Sequence, residues 1–140
     1  MNNLQLRNIA DFNAGMPEKK AREREMRLLV AKDMAHVLTD FEGKRLGWKS
    51  TRTDLMEALH WTWMNETVVN DDGSPCRFCH LVDRACTLFD IKKPVNPRSL
   101  VANALSKKGV HMTNLCQRCC MIAMTEHTSH PLMKFISISR

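Results

Sequence analysis

The chain has 140 residues, a net charge of +6 and 44% hydrophobic residues, so one domain is expected, with at most a short appendage, and a core can form without covalent staples. The apolar content excludes general disorder. No apolar run reaches the length of a membrane span, and the first residues carry no apolar signal segment, so a cytoplasmic protein is expected. The basic balance favours an acidic partner such as nucleic acid. In a reducing compartment the six cysteines are expected free, metal-bound or buried rather than paired as disulfides.

Residues 1–15 are a weakly specified lead in which Leu4, Ile9 and Phe12 suit an amphipathic turn. A helix is expected from Pro17, a residue at home in a first helical position, to residue 42. Met26, Leu29, Val30, Met34, Val37, Leu38 and Phe41 repeat with helical period along it. Gly43 suits its C-terminal cap, and a helix of roughly 24 residues spans about 36 Å, long enough to serve as an interface. The stretch Gly43–Lys49 reads as a linker. A second helix follows from Thr51, where Thr51 and Asp54 resemble a capping box. Val68 and Val69 are a β-prone pair, and Asn70–Gly73 is a turn. Ser74-Pro75 suggests the start of a third helix and Asn96-Pro97 the start of a fourth. Lys107-Lys108-Gly109 closes the fourth, and Thr113 caps a fifth. Leu132–Ser139 reads as a short strand or a tail.

Two features carry chemistry. The first is a pair of Cys-x-x-Cys motifs, Cys76/Cys79 and Cys116/Cys119. Each places two thiols on one local turn, and together they make a candidate four-thiolate site for one structural zinc, with His80 and Cys120 as substitutes. Both motifs also lie in helical patterns where a cysteine packs as a small hydrophobe. The second is the segment Ile91–Thr125, which holds Lys92, Lys93, Arg98, Lys107, Lys108 and Arg118 and no Asp or Glu. Such a segment meets phosphate without self-neutralisation, or solubilises an exposed face. Catalysis is not expected. No βαβ pattern supports a redox thiol pair, and the acid-free segment lacks the clustered carboxylates of a metal nuclease.

Trp48-Lys-Ser-Thr-Arg-Thr-Asp54-Leu55-Met-Glu57-Ala58-Leu59-His60 resembles the K-x-D-L-x-E-L-x-Y-A-L opening of the C-terminal domain of RteC-type regulators, from conjugative elements of Bacteroides and relatives. The similarity continues through Asn70-Asp-Asp-Gly73 and Leu88-Phe89-Asp90-Ile91 to the helix from Asn114, covering about residues 48–126. The resemblance implies a winged-helix-like DNA-binding domain and a role in transcriptional control of mobile-element genes. The expectation is therefore a mainly α protein with a tri-helical or winged-helix-like core. Residues 1–47 form the lead and long amphipathic helix, and 48–140 the helical domain. Its expected function is that of a DNA-binding transcriptional regulator or accessory factor of a mobile genetic element, on double-stranded DNA. The other reading is a zinc-stabilised helical protein-interaction module that uses helix 17–42 for a homodimer or a protein partner.

Overall fold

The computed structural model describes residues 2–41, 43–106 and 113–139, with the side chains of the first helix described from Glu18 onward. It is mainly helical. Helix α1 spans Asn2–Asp40, α2 Arg52–Met64, α3 Phe78–Leu88, α4 Pro97–Leu105 and α5 Leu115–Glu126. Strands β1 (Arg45–Trp48) and β2 (Ile136–Ser139) form an antiparallel pair, with Arg45 opposite Ser139 and Trp48 opposite Ile136. A 3₁₀ turn at Pro131–Phe135 leads into β2.

Helix α2 is the centre. Leu55, Met56, Ala58, Leu59, Trp61 and Thr62 are all buried along it, so it has almost no polar face, as expected of a helix surrounded by others. It packs against α1, α3, α4 and α5. From α1 it meets the expected stripe: Val30, Met34, Val37 and Leu38 are buried, and Leu29 and Phe41 pack on the same core. Fully buried Leu55, Leu59, Leu81, Leu115 and Leu132 each stabilise the fold by about 1.5–3 kcal/mol through removal of apolar surface from water.

The helix starts follow local chemistry. Thr51 caps α2 by accepting from the Asp54 amide at 3.1 Å. The Asp54 carboxylate does not complete a capping box; it accepts from Ser50 Oγ and pairs with Arg118. Asn96 caps α4 through the Ser99 amide, with Pro97 next. Asn114, not Thr113, caps α5, in a reciprocal box with Gln117. Lys107-Lys108-Gly109, the expected end of α4, lies outside the described residues.

Three expectations are corrected. Helix α1 begins at Asn2 and runs through Pro17, where the missing N–H removes one helical hydrogen bond; the lead and the long helix are one element. Helix α3 begins at Phe78 rather than at Ser74-Pro75. The Asn70–Gly73 turn closes a small hairpin, with Val69 bridging Pro75 and the Cys76 amide donating to the Val68 carbonyl at 3.0 Å. Ser74 Oγ donates to Asp72 instead of capping. The expected linker at 43–49 contains β1, whose partner arrives from the end of the chain. A Cβ at Gly47 would collide only with the Ser137 hydroxyl, so a larger residue there would require Ser137 to turn to another rotamer. Trp48 locks this pair to the helices: its ring lies 5.8 Å from that of Phe89 and 6.2 Å from that of Phe135, and its Nε1 donates to the Thr51 carbonyl at 2.7 Å.

Candidate nucleic-acid interface

Helix α4 turns Val101 and Ala104 into the protein and packs on α2. Its other side leaves Arg98, Ser99, Ala102, Asn103 and Ser106 exposed. The helix has nine residues, about 13 Å at 1.5 Å per residue. Arg98 is held at its start, with the guanidinium 5.0 Å from the Trp63 ring centroid and 4.8 Å from that of Phe78. Stacking of this kind fixes a flexible cation against the surface while leaving its edge in water. His60 sits beside the same aromatic cluster, 5.9 Å from Trp63. Burial, then the positive charge of Arg98, lower its pKa below the usual 6.5.

The six cations named from the sequence separate into different roles. Lys92 is exposed in the loop between α3 and α4. Lys93 pairs with Asp83 of α3 at 2.8 Å. Arg98 is the stacked residue just described. Arg118 pairs with the buried Asp54 carboxylate and lies 5.8 Å from the Phe135 ring. Lys107 and Lys108 fall outside the described residues. The acid-free segment is therefore partly neutralised by carboxylates from α2 and α3, and only Lys92 and Arg98 lack a carboxylate partner among the described cations of this segment.

The cysteines also separate. Cys76, Cys116 and Cys119 are buried and Cys79 is exposed. The Cys116 thiol donates to the Glu23 carbonyl at 3.6 Å. Among the described residues no three His, Cys, Asp or Glu side chains gather closely enough to hold a metal ion, so the two motifs do not meet as one four-thiol cluster. Burial pushes the Cys119 thiol up to about 12, with the Glu57 charge adding to it. A hydrogen bond with Cys120, then burial, raises Cys116; the same bond lowers Cys120. Buried, protonated thiols of this kind behave as small apolar side chains.

Sequence reasoning passed over the polar junction that sets α5 against α2. Glu57 is fully buried. Its Oε1 accepts from the Leu115 amide at 2.9 Å. Its Oε2 accepts from the Cys116 amide at 2.9 Å and from Trp61 Nε1 at 3.1 Å. A carboxylate thus satisfies two free amides at the positive end of α5, where negative charge is favoured. Burial nevertheless raises the Glu57 pKa above 4.5, against the lowering by these hydrogen bonds. The available signal was the surroundings of Glu57 in the sequence. Leu55, Met56, Ala58, Leu59 and Trp61 crowd α2 with apolar residues, and an acid buried among them must find donors.

Comparison with protein families, with curated proteins and with solved structures returned no match to this chain.

Proposed function

We propose that this chain is a DNA-binding transcriptional regulator or accessory factor of a mobile genetic element, with α2, α3 and α4 as a winged-helix-like core and α4 as the reading helix. The observation that carries the reading is the outer face of α4, where Arg98, Ser99, Asn103 and Ser106 are exposed on a segment without a single acid. A helix about 10–12 Å across with its side chains fits a major groove about 12 Å wide. In this reading the antiparallel pair β1–β2, whose strands come from before α2 and from the end of the chain, takes the part of the wing. The resemblance to RteC-type regulators supports the same reading.

In this reading Lys92, with Lys107 and Lys108 beyond α4, holds the phosphate backbone. Asn103 reads a base edge, since an Asn side chain pairs bidentately with adenine. Arg98, steered by Trp63 and Phe78 at the first turn of α4, meets a phosphate or a guanine. Arg118 is assigned to the fold and not to DNA, because its partner Asp54 is buried; Lys93, paired with Asp83 on the surface, contributes less to DNA than Lys92 because that carboxylate offsets its charge. Fluorescence anisotropy with selected and random duplexes tests this. Asn103→Ala is expected to weaken a preferred site by about 1–3 kcal/mol and leave random duplex unchanged. Equal loss on both, or no loss, removes Asn103 from base reading.

A further inference from the structure

The groove between the α1 segment Lys19–Leu29 and helix α5 has a volume of about 710 Å³ and belongs to none of the roles above. Its floor is apolar, made by Met26, Leu29, Cys120 and Ala123. Along one side stands a ridge of two α5 methionines, Met121 at 60% and Met124 at 64% exposure. The α1 wall carries both signs of charge: Lys19 and Arg22, with Glu23 and Glu25. No cluster of inward-facing polar groups marks it as a small-molecule site of the usual kind.

The occupant of such a groove must supply an apolar ridge to fill the trough and charges of both signs to meet the wall. The same patch on a second copy supplies both. We infer that the α1–α5 groove is a self-association surface, on which two copies pack about a two-fold axis with the Met121–Met124 ridge of each seated in the groove of the other. A two-fold interface uses one surface twice, so it must be self-complementary. Here trough and ridge lie side by side, and two cations and two anions share one helix. With the α1 helices antiparallel across the axis, Lys19 and Arg22 of each copy face Glu25 of the other, while Glu23 keeps its pairing with Arg27 of its own chain at 3.7 Å. Unbranched methionine side chains adapt to one another at such a contact. Lone exposed methionines need no explanation, but two of them bordering an apolar trough that no described side chain fills do.

The residues exposed on α4 do not line this groove, so association leaves that face free. The inference does not depend on DNA binding. If DNA binding also holds, the dimer presents two α4 helices to a symmetric site.

The test is the mass of the full chain in solution without DNA, by light scattering and sedimentation across micromolar concentrations. The expected mass is twice 16.1 kDa. The double variant Met121→Glu/Met124→Glu is expected to weaken association by about tenfold or more, with helical circular dichroism and melting of the separated chains unchanged, since both side chains are exposed in the single copy. Arg22→Glu, which places a third acid on the wall, is the second variant and is expected to weaken association too. A wild-type chain that stays at 16.1 kDa at the highest concentration overturns the inference. So does a dimer that both variants leave intact, since its interface then lies elsewhere.

Discussion

The junction of α2 with α5 and the outer face of α4 are both polar, yet their polar groups are used in opposite ways. At the junction Glu57 accepts three hydrogen bonds, and Asp54 is held by Ser50 and Arg118. On α4, Ser99 and Asn103 project into solvent with no hydrogen bond from either side chain to another part of the described fold. Buried polar groups must be partnered because an orphan costs about 1–3 kcal/mol; exposed ones carry no such demand and stay available to a ligand. Charge alone does not separate the two regions, since Arg118 and Arg98 stand in one acid-free segment. Their partners separate them. Arg118 is a cation of the fold, and Arg98 a cation of the surface.

Substitutions at the two regions should therefore break different things. The largest effect is expected for Glu57→Ala, which leaves the Leu115 and Cys116 amides and the Trp61 indole N–H without an acceptor and opens a cavity. A loss of about 3–5 kcal/mol of unfolding free energy is expected, read by denaturant titration. Glu57→Gln keeps the volume but turns an NH₂ toward an N–H, and should cost less. It also exposes the pH behaviour of the site. The folded-state pKa of Glu57 lies above 4.5, so its protonated form is the one the fold favours. The resulting stabilisation is fully present below pH 4.5 and is lost as pH rises through the folded value. Wild-type stability should fall relative to Glu57→Gln across that rise; a difference that stays flat with pH would show that burial does not shift this carboxyl.

Next in size is Arg118→Gln, which leaves the Asp54 carboxylate buried without its cation. About 2–3 kcal/mol of stability should be lost, somewhat below the fully buried case because the Arg118 side chain is 31% exposed. Asp54→Asn/Arg118→Gln should recover part of it, and a double-mutant cycle measures the coupling. Smallest in stability are the thiols. With a neutral-pH thiol reagent on the folded protein, Cys79 is expected to react promptly and Cys120, half-buried and lowered, to follow. Cys116 and Cys119 should react only on unfolding. Prompt reaction at Cys119 would mean that α5 does not pack as described.

The same contrast explains what could be read in the sequence. The α1 stripe from Met26 to Leu38, the Thr51 and Asn96 caps and the Asn70–Gly73 turn are local patterns, complete within a few residues, and the fold uses them as expected. The third helix misled because Ser74-Pro75 has the grammar of a helix start, while the Val68–Cys76 hairpin claims those residues first. Strand β1 was invisible because it is four residues long, contains Gly47 and pairs with β2 across 90 positions of chain. The roles of the cations depend on equally distant partners: Arg118 meets Asp54 from 64 residues away. A segment free of acids along the chain is thus not free of them in space. The two cysteine motifs, read from spacing, are placed by the fold on separate elements, one before and within α3 and the other within α5.

The most direct test of the division between fold and surface is a salt titration of duplex binding by wild type, Lys92→Gln and a folded Lys93→Gln. Each phosphate contact contributes about 0.9 to the slope of log affinity against log salt. Measurable duplex binding at low salt is expected, with a slope reduced by about 0.9 in Lys92→Gln and by clearly less in Lys93→Gln, whose charge is offset by Asp83. Absence of duplex binding by the wild type at low salt, or equal loss of slope in both variants, would contradict this division.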